Sequence, residues 1–417
     1  MIKTKALGIL LIFAAVLSIS LATALPVRAA TEQDIQDAID AGIEWLVDQQ
    51  LGTGEFDGVY GELADTSFAV LKLLDRAYEM EKDPFEENTG SPDYYVYHGN
   101  VTAGLDYIFL GAGTYNLTGT DIVFSMGAGN HETYNTAVAM MAIAASRTPS
   151  RMVLSANPVV NGLTYQQVMQ GCVDYFEAAQ NPDGAWRYWY TNEPSDNSTT
   201  GFACLGLRYA EEFGCTVPQA VKDNLSPWLD LIQDDVNGDT NDGGSHYTVG
   251  GGWVNIYKTG HLLQEFDFVG DGVGVQRVDD AVDYIERHWN DPNDDPGWRN
   301  NYLSIYSVMK GLVAQGVETI DVGGPVDWFD EIADHILATQ NPDGSWPGDY
   351  WGVDELLATE WALLALEKIA PPPSSETVGG EAYPIGKFGL MAPWIALAMF
   401  VGAGGAYLVR RKARSQR

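Results

Sequence analysis

The chain is 417 residues long and strongly acidic, with 57 Asp and Glu residues against 23 Lys and Arg residues and a net charge of −34. This charge repels phosphate groups, which argues against nucleic acid as a partner and against binding of the folded body to anionic lipid. It suits divalent cations, a high-salt habitat or simple solubility. The central residues 31–370 are long enough for one large domain with a single core.

The N-terminus predicts a secretory signal peptide over residues 1–30. Lys3 and Lys5 precede an uncharged apolar run, and the small residues after it suit a signal-peptidase cut after Ala29 or Ala30. The alternative is that this segment stays uncleaved as an N-terminal membrane anchor.

A first amphipathic helix follows, because apolar residues recur at helical spacing and mark one buried face. These residues are Ile35, Ala38, Ile39, Ile43 and Leu46. A degenerate copy of a turn found twice later in the chain spans residues 45–58. Residues 83–100, rich in Pro, Gly, Asp and Tyr, are interpreted as an inserted loop.

Two heptapeptides of nearly the same sequence punctuate the rest of the chain, Gln-Asn-Pro-Asp-Gly-Ala-Trp at 180–186 and Gln-Asn-Pro-Asp-Gly-Ser-Trp at 340–346. Each follows an amphipathic helix and precedes one that is apolar almost all round. Proline and glycine end the first helix abruptly. We interpret these turns as structural staples between neighbouring hairpins, formed by Gln180, Gly184, Trp186, Gln340, Gly344 and Trp346.

Weaker helix pairs fill the intervals and bring the total to six helical hairpins. The pairs are 101–110 with 134–146, 228–232 with 253–266, and 281–289 with 302–315. An amphipathic first helix and an all-round apolar second helix are typical of an outer helix and a walled-in inner helix. The sequence therefore predicts an all-α fold, an α6/α6 toroid with an apolar inner ring and an amphipathic outer ring. An open solenoid is the alternative.

The order helix, glutamine, Asp-Gly-x-Trp and apolar helix resembles the QW repeat of squalene–hopene cyclases, oxidosqualene cyclases and protein prenyltransferase β-subunits. The likeness spans roughly residues 33–370 as architecture, with two sharp copies of the motif. It implies the toroid fold of that superfamily and says little about activity. The exported, singly anchored layout is also similar to that of archaeal surface proteins with such repeats.

The chemistry of these families is only partly represented in the chain. Class II cyclases use an Asp-x-Asp-Asp acid, which the sequence lacks, and the zinc set of prenyltransferases has no His close to the cysteines in sequence. An Asp-Asp-x-x-Asp motif at 279–283 has the spacing that chelates Mg²⁺ around a diphosphate. It opens an outer helix, however, where acids favour the helix dipole in any case.

One segment has the alternating oxygen ligands of a calcium loop. These ligands are Asp235, Asn237, Asp239 and Asn241. It is not an EF-hand, because Thr240 stands at the glycine position and His246 at the final glutamate position. Ca²⁺ is the best cofactor candidate from the sequence, and a solvated turn is the alternative.

A toroid places a ligand site where its inner helices begin, and polar and aromatic residues cluster at these predicted starts. The candidates for acid–base chemistry or for binding a substrate carboxylate are His131, Glu132, His246, Tyr247, Arg299 and Asp354. Aromatic residues beside carboxylates also suit sugar binding. Helix N-termini recruit acids for capping alone, which is the structural alternative.

Two further features concern covalent chemistry outside the cell. Cys172, Cys204 and Cys215 lie close in sequence, so one disulfide and one free thiol are expected in an oxidising compartment. Four Asn-x-Ser/Thr sequons predict a glycoprotein. They open at Asn100, Asn116, Asn197 and Asn224.

The C-terminus predicts a single membrane span. A linker rich in Pro, Gly and Ser (371–387) leads to the uncharged apolar residues 388–409, and the basic tail 410–417 follows at once. A span needs ~20 apolar residues, and the positive-inside rule leaves the tail in the cytoplasm. The predicted localisation is the cell surface, with the body outside.

Three functions remain compatible with these residues, and the sequence leaves open whether the protein is an enzyme. We favour a membrane-anchored surface domain that binds a glycan, lipid or protein ligand without cyclising terpenes. The alternatives are an isoprenoid cyclase or transferase, and a calcium-dependent glycan lyase or hydrolase. A deep aromatic tunnel would favour an isoprenoid, and an open acidic groove a glycan. A ring filled by Met140, Met141, Phe202 and Trp361 would favour binding alone.

Overall fold

The structure is a computed structural model that describes residues 29–58, 63–125, 131–236, 238–348 and 353–368. Nearly all of the predicted signal peptide, and all of the linker, the span 388–409 and the basic tail, lie outside these residues. Within the described ranges, no helix is both long and apolar enough to cross a bilayer. The signal peptide and the membrane anchor therefore stay predictions.

The described residues form twelve α-helices, numbered here in chain order. They are α1 Glu32–Asp48, α2 Leu63–Glu79, α3 His98–Leu110, α4 Glu132–Ala145, α5 Tyr165–Ala179, α6 Asn197–Glu212, α7 Gln219–Ile232, α8 Ile256–Val269, α9 Gln276–His288, α10 Tyr302–Ala314, α11 Trp328–Thr339 and α12 Glu355–Leu366. Two short antiparallel hairpins lie in the connections, β1 (Ala112–Gly113) with β2 (Val123–Phe124) and β3 (Thr319–Asp321) with β4 (Pro325–Asp327).

The even-numbered helices form a closed inner ring. They pack side by side in the order α2, α4, α6, α8, α10 and α12, and α12 returns to pack against α2. The odd-numbered helices lie outside them, and α11 packs against α1 across the closure. The predicted toroid of six hairpins is confirmed, and the open solenoid is wrong because the last hairpin meets the first.

The burial pattern explains why the two kinds of helix alternate. In α12 every residue from 356 to 366 is buried, because neighbours enclose an inner helix on all sides. In the outer helix α9 the buried residues are Val278, Ala281, Tyr284 and Ile285, which are spaced three or four apart on one face. The binary pattern of each helix therefore sets its layer.

The turns that end α1, α5, α7 and α11 share one glutamine geometry. In each, the side-chain amide donates to a carbonyl in its own turn and to a carbonyl in the first two turns of the next outer helix. The pairs are Gln50 to Gly54 and Asn100, Gln180 to Gly184 and Val221, Gln233 to Gly243 and Arg277, and Gln340 to Gly344 and Ala38, all at 2.8–3.0 Å. The glutamine therefore joins neighbouring outer helices.

The glycine of each turn is required by its backbone. Gly184 has φ of 100° and Gly243 has φ of 85°, both in the left-handed region. A Cβ on either would clash with a backbone carbonyl oxygen of the next outer helix, that of Asn224 or Asp280. A side chain at these positions would push adjacent hairpins apart.

The tryptophan caps the helix before it. The indole N–H of Trp186 donates to the carbonyl of Phe176 at 2.9 Å, and that of Trp346 donates to the carbonyl of Ile336 at 2.7 Å. Both carbonyls lie in the last turn of an outer helix, where no backbone N–H of the helix remains to bind them. The fully buried indoles thus tie the turn to the outer helix that it ends.

All three cysteines are free thiols, so the expected disulfide is wrong. Cys172 lies on the buried face of α5 and Cys204 lies within the inner helix α6. Cys215 follows α6, and its Sγ contacts the carbonyl of Gln166 at 3.7 Å. The packing of each thiol against its own surroundings therefore leaves none paired.

The sequons differ in exposure. Asn116 and Asn224 are exposed, but Asn197 is fully buried at the start of α6. Its amide donates to the Ser245 hydroxyl at 2.9 Å. Asn197 therefore cannot hold a glycan in the folded protein.

Candidate functional site

The centre of the ring is filled by a layer of six ring side chains, one from each inner helix. They are Phe68, Tyr134, Phe202, His261, Tyr306 and Trp361. Their centroids lie close, for example 4.7 Å between Tyr134 and Phe202 and 5.9 Å between Phe68 and Tyr306. Met140 and Met141 are also fully buried. The four residues proposed to fill the ring are thus all buried.

The clearest pockets among the described residues lie outside the ring. They are grooves of about 480 and 520 Å³ beside α9, lined by residues such as Asp283, Glu286 and Asp321. A ligand of the ring itself would therefore meet the mouth where the inner helices begin, above the aromatic layer.

Aromatic side chains gather at this mouth on the connections that precede α4, α6 and α8. We call them the aromatic rim. The rim consists of Tyr115, His131, Tyr188, Tyr190, Tyr247 and Trp253.

The rim side chains contact one another across the three connections. The hydroxyls of Tyr188 and Tyr247 lie 2.6 Å apart, and Tyr247 stacks on Trp253 with centroids 6.2 Å apart. His131 lies 4.9 Å from Tyr188 between ring centroids. Trp253 is 52% exposed, so a large aromatic face is open to solvent at the mouth.

Carboxyl groups of α2, α4 and α12 lie at the same mouth. Asp354 is the N-cap of α12 and accepts the Leu357 N–H at 3.0 Å, and a Cβ on Gly58 would contact the carboxylates of both Asp65 and Asp354. Glu132 accepts the Tyr115 hydroxyl at 3.0 Å. The mouth therefore combines aromatic faces with acceptor oxygens.

Glu360, on the second turn of α12, differs from these carboxylates. Its side chain is fully buried, and neither carboxyl oxygen has a hydrogen-bond partner among the described residues. Burial, followed by the charges of Asp65 and Asp354, raises the pKa of Glu360 well above its ordinary value. Glu360 therefore keeps its proton to a higher pH than an exposed glutamate does, while the capping Asp354 accepts a hydrogen bond.

A buried polar stripe on α8 lies beneath the rim. Lys258, His261 and Glu265, spaced three and four residues apart, are all fully buried. Burial, and then the charge of Lys258, lowers the pKa of His261 to about 3, so its imidazole is neutral. Burial also raises the pKa of Glu265 well above its ordinary value.

The structure brings together four of the six predicted rim candidates. His131, Glu132 and Tyr247 lie at the aromatic rim, and Asp354 lies at the mouth on α12.

The other two candidates are engaged elsewhere. Both ring nitrogens of His246 are occupied, Nε2 by Asp234 at 3.1 Å and Nδ1 by the Gly252 carbonyl at 3.2 Å. Arg299 pairs with Glu331 of the outer helix α11 at 2.8 Å and donates to the Trp289 carbonyl at 2.9 Å. Arg299 thus links adjacent hairpins.

The predicted calcium loop uses its oxygens within the turn. Asp239 accepts the backbone N–H groups of Asn241 at 2.8 Å and Asp242 at 3.0 Å. Asn237 lies outside the described residues. Among the described residues, no group of three or more His, Cys, Asp or Glu side chains is arranged to hold a metal. Calcium binding stays a prediction.

Sequence reasoning missed Lys258, Glu360 and Gln233. A signal for the first two exists, because a charged residue inside a helix that is otherwise apolar all round must be buried. Gln233 was not recognised in the sequence, because the glycine whose carbonyl it binds, Gly243, lies ten positions later. In the other three turns the glycine lies four positions after the glutamine.

No protein-family model matches the chain, and no curated protein matches it. Among solved structures, the GH76 α-mannanase of Bacteroides thetaiotaomicron is similar, with a TM-score of 0.52 and 9% identity over 80% of this chain and 95% of the mannanase. The type II terpene cyclase MstE of Scytonema gives a TM-score of 0.49 and 12% identity over 81% of this chain and 98% of the cyclase. The mannanase likeness shows a shared fold and leaves activity open.

Proposed function

We propose that this toroid binds a glycan at the mouth of its ring, on the aromatic rim. Sugar rings present C–H faces that pack on aromatic side chains and hydroxyls that donate to carboxylates. The mouth offers both, because Tyr247 and Trp253 supply aromatic faces and Glu132 and Asp354 supply carboxyl groups. With the predicted signal peptide and anchor, the binding face would stand outside the cell.

The single observation behind this proposal is the half-exposed Trp253 stacked on Tyr247. The two side chains form a joint aromatic patch at the mouth, and exposed apolar patches that are rimmed by polar residues mark ligand-binding sites. The filled ring centre supports binding over cyclisation, because an isoprenoid would need a deep apolar cavity. The missing Asp-x-Asp-Asp acid supports the same choice.

The test is a glycan-array screen of the purified full-length protein, followed by calorimetry on the sugars that bind. We expect Trp253→Ala to weaken binding about tenfold, because a lost stacking face costs ~1.5 kcal/mol. Tyr94→Ala is the matched control, since Tyr94 lies on the α2–α3 connection at the opposite edge of the ring. Absence of binding to any glycan, or equal binding by both variants, would refute the proposal.

A second candidate function, hydrolysis of the bound glycan, is favoured by Glu360, whose carboxyl group feels the charge of Asp354. Glycosidases need one protonated and one ionised carboxyl group, and burial raises the pKa of Glu360 well above its ordinary value. The measurement is release of reducing ends by the wild type, Glu360→Gln and Asp354→Asn. The control is Asp283→Asn on the outer helix α9. A wild type that binds a glycan and releases nothing would exclude this activity.

A further inference from the structure

Lys258 lies directly beneath the exposed indole of the aromatic rim. It is the third residue of α8, its side chain is fully buried, and its Nζ lies 4.2 Å from the centre of the Trp253 ring. Nζ has no hydrogen-bond partner among the described residues. A buried ammonium without an acceptor is costly, and an anion that reached it would remove that cost.

The groups around Lys258 do not supply this acceptor. The charges of Asp294 and Asp295, on the connection after α9, reach Lys258, but no carboxylate accepts a hydrogen bond from its Nζ among the described residues. Asp294 instead accepts the Ile256 N–H at 3.2 Å and the Tyr284 hydroxyl at 3.3 Å. The nearby His261 is neutral.

Burial lowers the pKa of the Lys258 amine to about 7. The negative charges of Asp294 and Asp295 raise this pKa, but their effect is smaller than that of burial. The Lys258 amine therefore loses its proton at a lower pH than an exposed lysine does. A bound anion would favour the ammonium form.

Trp253 covers Lys258 and is held in place by Tyr247, on which it stacks. Its indole N–H donates to the Asp295 carbonyl at 2.8 Å, and three glycines, 250–252, precede it. Gly250 and Gly252 have left-handed φ values of 73° and 89°. Displacement of the indole would break its hydrogen bond to the Asp295 carbonyl and would rotate the backbone at these glycines.

We propose that the sugar bound on the aromatic rim is a uronic acid, whose carboxylate forms an ion pair with Lys258 when Trp253 moves aside. This inference rests on the proposed glycan binding and adds the class of sugar. The ring of the sugar would stack on Tyr247 and on the displaced Trp253 indole, and its carboxylate would supply the acceptor that Nζ lacks. A single negative charge fits, because Asp294 and Asp295 disfavour a more highly charged group.

The experiment compares oligomers of galacturonic, glucuronic and mannuronic acid with the carboxyl-reduced, neutral form of each. Calorimetry on the full-length protein should show at least one acid oligomer binding about tenfold to a hundredfold tighter than its neutral form, as for a hydrogen-bonded charge pair. Lys258→Met should abolish this difference between the acid oligomer and its neutral form. Lys222→Met is the matched control, because Lys222 also lies over an aromatic ring, that of Phe268 at 4.9 Å, on the outer helix α7.

A pH series gives a second readout that does not depend on the variants. Because the anion binds the ammonium form, affinity for the acid oligomer should fall as pH rises above about 7. Affinity for the neutral oligomer should stay constant. Equal binding of acid and neutral oligomers by the wild type would overturn the uronic acid and leave glycan binding intact. Failure to bind any glycan would overturn both.

Discussion

Replacing Gln233 with methionine tests whether a glutamine turn stabilises the ring even where the Gln-Asn-Pro-Asp-Gly-x-Trp motif is absent. Gln233→Met keeps the length of the side chain and removes the hydrogen bonds to the Gly243 carbonyl at 2.9 Å and the Arg277 carbonyl at 2.8 Å. Each bond contributes about 1 kcal/mol, and a buried carbonyl left without a donor costs ~1–3 kcal/mol. We expect a loss of about 2–4 kcal/mol in the free energy of unfolding.

The assay is thermal melting followed by helical circular dichroism, where the variant should melt several degrees lower. Gln219→Met on α7 is the control, because its amide donates at 3.0 Å to Asp223 on an exposed face, where a surface substitution changes stability by less than about 0.5 kcal/mol. Gln180→Met should destabilise as much as Gln233→Met. If Gln233→Met melts like Gln219→Met, the shared geometry of these turns does not stabilise the ring.

Three further predictions concern the interior. Burial raises the pKa of Glu360, so the folded state keeps a proton that the unfolded state loses above about pH 4.3. The free energy of unfolding of the wild type therefore falls as the pH rises above this value. Glu360→Gln should lack this decline and be the more stable protein at pH 8 but not at pH 4. Burial raises the pKa of Cys172 and Cys204 well above normal and that of Cys215 to about 11, so a thiol reagent at pH 8 should label Cys215 slowly and the other two only on unfolding. Phe202→Ala in the aromatic layer should cost about 3–5 kcal/mol, measured by denaturant unfolding.

Each of these has a clear contrary result. Parallel pH–stability curves for Glu360→Gln and the wild type would mean that Glu360 is ionised in the fold. Rapid labelling of three thiols in the native protein, or of none after unfolding, would contradict the free and unequally buried cysteines. A cost below about 1 kcal/mol for Phe202→Ala would mean that the ring centre is loosely packed.

The sequence by itself determined the helices, their pairing into hairpins and the layer of each helix. Burial periodicity is a local property, so the five apolar positions of α1 from Ile35 to Leu46 could be read directly, as could the all-round apolar α12. The turns at 180–186 and 340–346 could also be predicted from the sequence, because proline and glycine determine the local backbone geometry independently of distant residues.

Only the tertiary structure decided which residues meet at the mouth. His131, Tyr188 and Tyr247 come from three different connections, and closure of the ring is what sets them side by side. Arg299 lies just before an inner helix in the sequence, as a residue of the mouth should, but its side chain pairs with Glu331 on a neighbouring outer helix. The environments of Lys258 and Glu360 also depend on the whole ring, because a pKa is set by every element that removes water from the group. Periodicity fixes which side of a helix is buried, and only the assembled fold fixes what it is buried against.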